Sequence, residues 1–250
     1  MPIRFLCSPA HGCRATLLAL LLSAFAVSNA VSEEKAHWGY SGETGPNDWG
    51  DLDPAFEQCK TGQMQSPVDV RRGARASNDL RFDYGSTPLT GLENHHTLQV
   101  DYSAGSYIQS GGRTYELLQL HFHSPSEHTL RGRHADMELH LVHRHKDGQL
   151  AVVGVMMRRG AFNPVIETIW SALKGDRQQL IDASGLLPRN KGYYSYQGSL
   201  TTPPCSEDVL WHVMARPIYL SKDQIEAFRQ LHPMNARPVQ PLNQRVIHSH

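Results

Sequence analysis

Two stretches, Gln119-Leu120-His121-Phe122-His123 and Met137-Glu138-Leu139-His140-Leu141-Val142-His143, alternate polar and apolar residues. Alternation has the period of a β-strand, whose successive side chains point to opposite faces. In the first stretch, Leu118, Leu120 and Phe122 take one face, and Gln119, His121 and His123 the other. In the second, Glu138, His140 and Val142 share a face and His143 points away. A row of imidazole, carboxylate and amide groups backed by apolar residues must find partners or a metal. Three neutral imidazoles converging from adjacent strands are a standard catalytic zinc shell, with the fourth position left for water. Gln119 and Glu138 each lie two residues before a histidine on the same face. There they can accept the N–H that a liganding imidazole turns away from the metal.

The N-terminus reads differently. Arg4 and Arg14 precede an apolar run from Ala15 to Val27, and Ser28 and Ala30 form an S-x-A cleavage pattern. Residues 1–30 are therefore expected to be a secretory signal peptide cut near Ala30, leaving residues 31–250 as one domain. The alternative, an uncleaved anchor, needs a longer apolar run. Removing Arg4 and Arg14 from a balance of 24 basic and 24 acidic residues leaves a net charge of about −2. That gives no basic footprint for nucleic acid, and after cleavage no segment for a membrane. The expected location is periplasmic or secreted. Cys59 and Cys205 are the cysteines that remain after residue 30. In an oxidising compartment an even pair reads as a disulfide; two unrelated thiols are the alternative.

Residues 31–66 carry little periodicity and read as an arm wrapped on a core, with a short helical turn from Asp53 to Gln58. From about residue 80 to 157 the pattern is mostly strand, with a hairpin turn over His143 to Gln149. Strand segments return at Tyr193 to Tyr196 and Val209 to Met214. Asn163-Pro164 is an N-cap followed by proline at the first helical position, and Ile166, Ile169, Trp170 and Leu173 repeat at helical spacing. Ser221 with Gln224 three residues on forms a capping box for a second helix. The stretch after Pro233 reads as irregular, with His248 and His250 on a disordered tail. The expected fold is α+β: a single domain on a large, mostly antiparallel twisted β-sheet with a few peripheral short helices.

Several motifs together resemble one family. They are Gln65-Ser66-Pro67-Val68-Asp69, the two histidine stretches, Ser126-Glu127-His128, Gly198-Ser199-Leu200-Thr201-Thr202-Pro203-Pro204 and Asn235-x-Arg237-Pro238. The chain resembles the α-class carbonic anhydrases, bacterial and exported in type, from His37-Trp38-Gly39-Tyr40 to Arg245. The resemblance implies reversible hydration of CO₂ to bicarbonate and a proton, by zinc-bound hydroxide on Zn²⁺ held by His121, His123 and His140. It implies that Thr201 orients the nucleophile through Glu127, and that Thr202 helps hold the anion. Val142, Val152, Leu200 and Trp211 match the wall that receives CO₂. His96 matches the proton shuttle, with His95 on the opposite face of an opening strand, and Tyr40 matches a tyrosine of the water network. A Cys59–Cys205 bridge would anchor the Thr201 loop to the N-terminal arm. Cis peptides are implied at Ser66-Pro67 and Pro203-Pro204. Of the other histidines, His128 and His143 are expected as buried structural residues, His128 paired with Tyr196. His212 and His232 are expected at the surface or in the sheet. The expected partner is the small-molecule substrate, and the assembly a monomer or homodimer. After His123 the chain has Ser124-Pro125 where animal members carry Trp-Gly, a departure at the pocket rim. Two other function classes compete with this reading: a catalytically silent binding module, which would lose a zinc histidine, and a zinc esterase with another substrate.

Overall fold

In the computed structural model the two histidine stretches lie side by side in one sheet. The structure describes residues 36–250 apart from 72, 78, 92, 174 and 176–178. The expected signal peptide, residues 1–30 with cleavage near Ala30, lies outside the described residues. Six strands carry the site: β1 (Gln99–Asp101), β2 (Arg113–His123), β3 (Met137–His145), β4 (Leu150–Arg159), β5 (Tyr193–Ser199) and β6 (Glu207–Met214). They belong to a sheet of eleven strands among the described residues, with β5, β6, β4, β3 and β2 adjacent in that order. β2 and β3 pair antiparallel, as do β3 and β4, and β5 and β6.

The sheet is mixed rather than mostly antiparallel. β4 and β6 run parallel, with Val152 beside Trp211, and Ile218–Leu220 also pairs parallel with β4. The connection explains this. After β4 the chain crosses over through a helix, returns along β5 and turns back into β6, so β6 re-enters parallel to β4.

One sheet face packs the main core. Leu120, Phe122, Leu139, Leu141, Val153 and Val155 meet Ile166, Ile169 and Trp170 of helix α1 (Pro164–Leu173) and Ile225 and Phe228 of α2 (Lys222–Leu231). Each such buried side chain stabilises the fold by about 1.5–3 kcal/mol. Both helices start where expected. Asn163 Oδ1 accepts from the N–H groups of Val165 and Ile166, and Ser221 and Gln224 close a full capping box. Among the described residues, no helix is long and apolar enough to cross a membrane.

Three expectations change. The β2–β3 register slips between Leu117 and Gln119, a one-residue bulge. The bulge resets the alternation, so Leu117 joins the core while Leu118 is only half-buried. Residues 94–97 form a turn and the strand begins at Gln99: Asn94 Oδ1 accepts from the N–H groups of His96 and Thr97, and His95 sits at φ 68°. A short polar side chain that bonds its own backbone outcompetes the ladder here. The C-terminus is ordered: His248–Ser249 pairs with β5, and His250 stacks on Tyr193 at 4.2 Å. Ser66-Pro67 and Pro203-Pro204 are cis, as is Ser124-Pro125.

Candidate metal centre

Register brings the three imidazoles together. His121 lies directly opposite His140, and His123 opposite Glu138. Cross-strand neighbours on one face have Cβ atoms about 5 Å apart, close enough for facing rings to converge. Each ring turns one N–H outward. His121 Nδ1 donates to Gln119 Oε1 at 2.8 Å, His123 Nδ1 to the Asn235 carbonyl at 2.7 Å, and His140 Nε2 to Glu138 Oε1 at 3.1 Å. These bonds leave His121 Nε2, His123 Nε2 and His140 Nδ1 as lone-pair atoms, and one donor atom from each residue lies within 4.8 Å of the others. His123 Nε2 is buried without a hydrogen-bond partner. Burial holds the His121 pKa well below its ordinary value, with the His123 and His140 rings adding to the effect. Burial likewise lowers that of His123, against the opposing charge of Glu127. Three neutral nitrogen donors, one of them orphaned, fit a zinc ion.

Behind His140 runs a directed chain of hydrogen bonds. The Ser199 N–H donates to Ser66 Oγ at 3.1 Å, and Ser66 Oγ meets Tyr196 OH at 2.8 Å. Tyr196 OH donates to His128 Nε2 at 2.6 Å, since His128 Nδ1 donates to Glu138 Oε1 at 2.8 Å. The His128 backbone N–H adds a bond to Glu138 Oε2 at 2.8 Å. His128 and Tyr196 are thus paired and buried, as expected. Burial works to raise the Glu138 pKa. Electrostatic attraction to the His128 and His140 rings, and the hydrogen bonds those rings donate, outweigh it and hold Glu138 well below the usual carboxylate range. His128, Glu138 and His140 also form a cluster of metal-ligand type, but these bonds commit its members to one another. Gly154 makes room for the chain: a Cβ there would lie 2.8 Å from Glu138 Oε1.

Glu127 stands on the other side of the centre. Its Oε2 lies 3.6 Å from His123 Nε2 and 3.9 Å from His140 Nδ1, buried and without a hydrogen-bond partner. Its Oε1 accepts from the Arg237 N–H at 2.8 Å. Thr201 is buried, but the expected donation from its hydroxyl to Glu127 is not made, and Oε2 stays open. The Thr201 loop is tied to the arm. A disulfide joins Cys59 and Cys205, Gln65 Nε2 donates to the Cys205 carbonyl at 3.0 Å, and the Cys205 N–H closes a turn on the Thr202 carbonyl at 2.8 Å. Arg237 braces the same junction, donating to Gln65 Oε1 and the Ser66 and Cys59 carbonyls. Burial lowers its pKa to about 10, with Glu127 opposing.

The apolar residues form a row across three strands. Val142 faces Val152, and Val152 lies beside Trp211. The Trp211 ring meets His140 edge-on at 4.9 Å, its N–H fixed on the Ser199 carbonyl at 2.9 Å. Leu200 packs partly buried against this cluster. Toward solvent, His96 stacks flat on Trp38, ring centres 3.7 Å apart and 5° from parallel. Burial lowers its pKa, and His37, His95 and His232 add to the effect. Tyr40 packs edge-on against Trp38 and Trp49, and burial, then the charge of Glu127, pushes its phenol well above its ordinary value.

The sequence motifs named Asn235 and Arg237 without a task for either. Asn235 Oδ1 accepts from the Ser124 N–H at 2.8 Å, and its Nδ2 donates to the His96 and Phe122 carbonyls at 3.0 and 2.9 Å. His212, expected at the surface or in the sheet, is a buried strand residue whose two ring nitrogens lack partners.

A family model for eukaryotic-type carbonic anhydrase matches residues 44–250. A carbonic anhydrase of Nostoc sp. is 46% identical over 234 residues, covering 88% of this chain and 89% of that protein. The α-carbonic anhydrase of Thermovibrio ammonificans, solved with the inhibitor sulfanilamide, superposes with a TM-score of 0.80 at 41% identity, covering 85% of this chain and 99% of that one. Dioscorin, solved with ascorbate, superposes with a TM-score of 0.78 at 31% identity over 85% of this chain and 97% of that one. Matched over most of its length by sequence and by fold, this chain belongs to the α-class carbonic anhydrases, enzymes that hydrate carbon dioxide.

Proposed function

We propose that the chain hydrates CO₂ reversibly with zinc held by His121, His123 and His140, and with His96 carrying the proton away. The observation that supports it most is the orphaned His123 Nε2, facing two further lone-pair nitrogens in a buried site. When bound, zinc would bring a water to its basic form near neutral pH, a property for which carbonic anhydrase itself is the standard example. The chain's own residues do the rest. Val142, Val152, Leu200 and Trp211 present an apolar surface suited to CO₂. With zinc bound, the Thr201 hydroxyl would turn to the open Glu127 Oε2, a bond this structure does not make, and so offer only lone pairs to the attacking oxygen's proton and fix its direction. Thr202 helps hold the anionic product, and Tyr40 orders water between the centre and His96. His96 accepts the released proton and hands it to buffer, as a group titrating near neutrality can.

Residues 31–250 are the catalytic domain, exported after removal of residues 1–30. The Cys59–Cys205 disulfide supports this, because such bonds persist in oxidising compartments. The test is zinc content and stopped-flow CO₂ hydration of the wild type and His140→Ala. The expected result is one zinc per wild-type chain, with metal and activity lost together in the variant. Full activity in a metal-free variant would overturn the assignment.

A further inference from the structure

A second cavity, of about 640 Å³, opens on the same sheet face as the candidate metal centre. Along β4, Val152 and Arg158 share that face six residues apart, a separation of roughly 20 Å at strand rise. The cavity is lined by Arg131, Arg133, Arg158 and Arg216, with Tyr194 and a floor that includes Val70 and Leu130. All four arginines are exposed, and among the described residues none has a salt bridge or a side-chain hydrogen bond. The carboxylate on the adjoining strand is already engaged. Asp69 pairs with Arg71 at 2.6 Å and accepts from Thr129 Oγ1 and the Gly132 N–H, each at 2.7 Å.

The turn that presents two of the arginines is itself unusual. Leu130 and Arg133 bridge across Arg131 at φ 56° and Gly132 at φ 73°. Turns with two left-handed central residues favour asparagine, aspartate or glycine, and a left-handed backbone costs an ordinary residue about 1–2 kcal/mol. Here an arginine occupies the first position. A chain of near-zero net charge thus gathers four unpaired guanidiniums around one concavity.

We propose that this cavity binds a soluble small molecule carrying clustered phosphate groups. Guanidinium forks match phosphate oxygens two at a time. Four positive charges in one cavity call for a ligand of similar charge density. A linear polyphosphate or a phosphorylated metabolite has that density; a single bicarbonate does not. The apolar floor and Tyr194 leave space for an organic body.

The test is calorimetric titration of the zinc-loaded protein with inorganic tripolyphosphate at low ionic strength. The same titration is run on Arg158→Ala/Arg216→Ala and on the variant with all four arginines replaced by alanine. Any metal the probe extracts is the same for every protein and cancels in the comparison. The expected result is saturable 1:1 binding that weakens as salt rises. Affinity should fall at least about tenfold in the double variant and binding should vanish in the quadruple one, with CO₂ hydration unchanged. Citrate should bind more weakly than tripolyphosphate. Equal binding by the wild type and the quadruple variant would overturn the proposal. So would binding to phosphatidic acid vesicles with none to tripolyphosphate, which would make the site a lipid contact.

Discussion

The Asn235 carbonyl accepts the Nδ1 proton of His123 at 2.7 Å, across 112 positions of sequence. The same residue's side chain holds the Ser124 N–H and the His96 and Phe122 carbonyls. One asparagine therefore fixes a candidate ligand's tautomer and ties the His96 turn to strand β2. Asn235→Ala keeps the carbonyl but removes the side-chain bonds to the Ser124 N–H and the His96 and Phe122 carbonyls, of which, among the described residues, only Phe122 keeps another donor, the Thr97 hydroxyl. The expected loss is about 3 kcal/mol of stability, with zinc affinity falling about tenfold as the His123 ring loosens. Denaturant titration and competition with a chelator measure the two effects separately.

Gly154 is required by Glu138. A Cβ placed there would meet Glu138 Oε1 at 2.8 Å, and that oxygen is held by His128 and His140. Gly154→Ala must displace the carboxylate, so His140 loses its orienting acceptor. Zinc affinity should drop about 10–100-fold, while the fold loses about 1–3 kcal/mol. Unchanged zinc retention would show that Glu138 does not orient the ligand.

The flat stack of His96 on Trp38 makes Trp38 a control on the proposed shuttle. His96→Ala should slow turnover at low buffer concentration and leave the rate at high buffer nearly intact, with imidazole restoring it. Trp38→Ala uncovers the ring, so the His96 pKa should rise toward its ordinary 6.5 as the burial that lowers it is relieved. Titration of the ring proton resonances in each variant reads this directly.

Acid should destabilise the protein through two histidines on the opposite face of the sheet from the centre. Burial lowers both the His143 and the His212 pKa to about 3. His143 is pinned neutral, accepting from Tyr84 OH at Nε2 while Nδ1 donates to the Ala151 carbonyl. Between pH 6.5 and about 3 the unfolded chain binds these two protons and the folded chain does not. Stability is therefore complete above pH 6.5 and falls with pH below it, by about 1.4 kcal/mol per pH unit for each histidine. His212→Phe should flatten this slope by roughly half, seen in denaturant midpoints across the range.

Much of the centre was legible because its information is local. Two-residue alternation put His121 and His123 on one face and His140 beside them, and Asn163 and Ser221 marked both helix starts. The rest depends on choices that side-chain identity does not encode locally. A backbone carbonyl carries no sequence signature, so the Asn235 acceptor could not be read. Nothing distinguishes Leu117 from Leu118 until the partner strand selects the bulge. The parallel β4–β6 pairing follows from where the crossover returns, and Asn94 turned an expected strand into a turn with its own side chain.

The parallel pairing has a consequence for the order in which the protein assembles. The three imidazoles come from neighbouring segments joined by antiparallel pairing, whose loop-closure cost is small. Trp211 reaches Val152 only after the intervening chain, with α1 and β5, has been placed. Such long-range contacts form slowly. The nascent chain can therefore hold the three imidazoles together before the apolar row of Val142, Val152 and Trp211 exists, so that row is the last part of the site to be assembled.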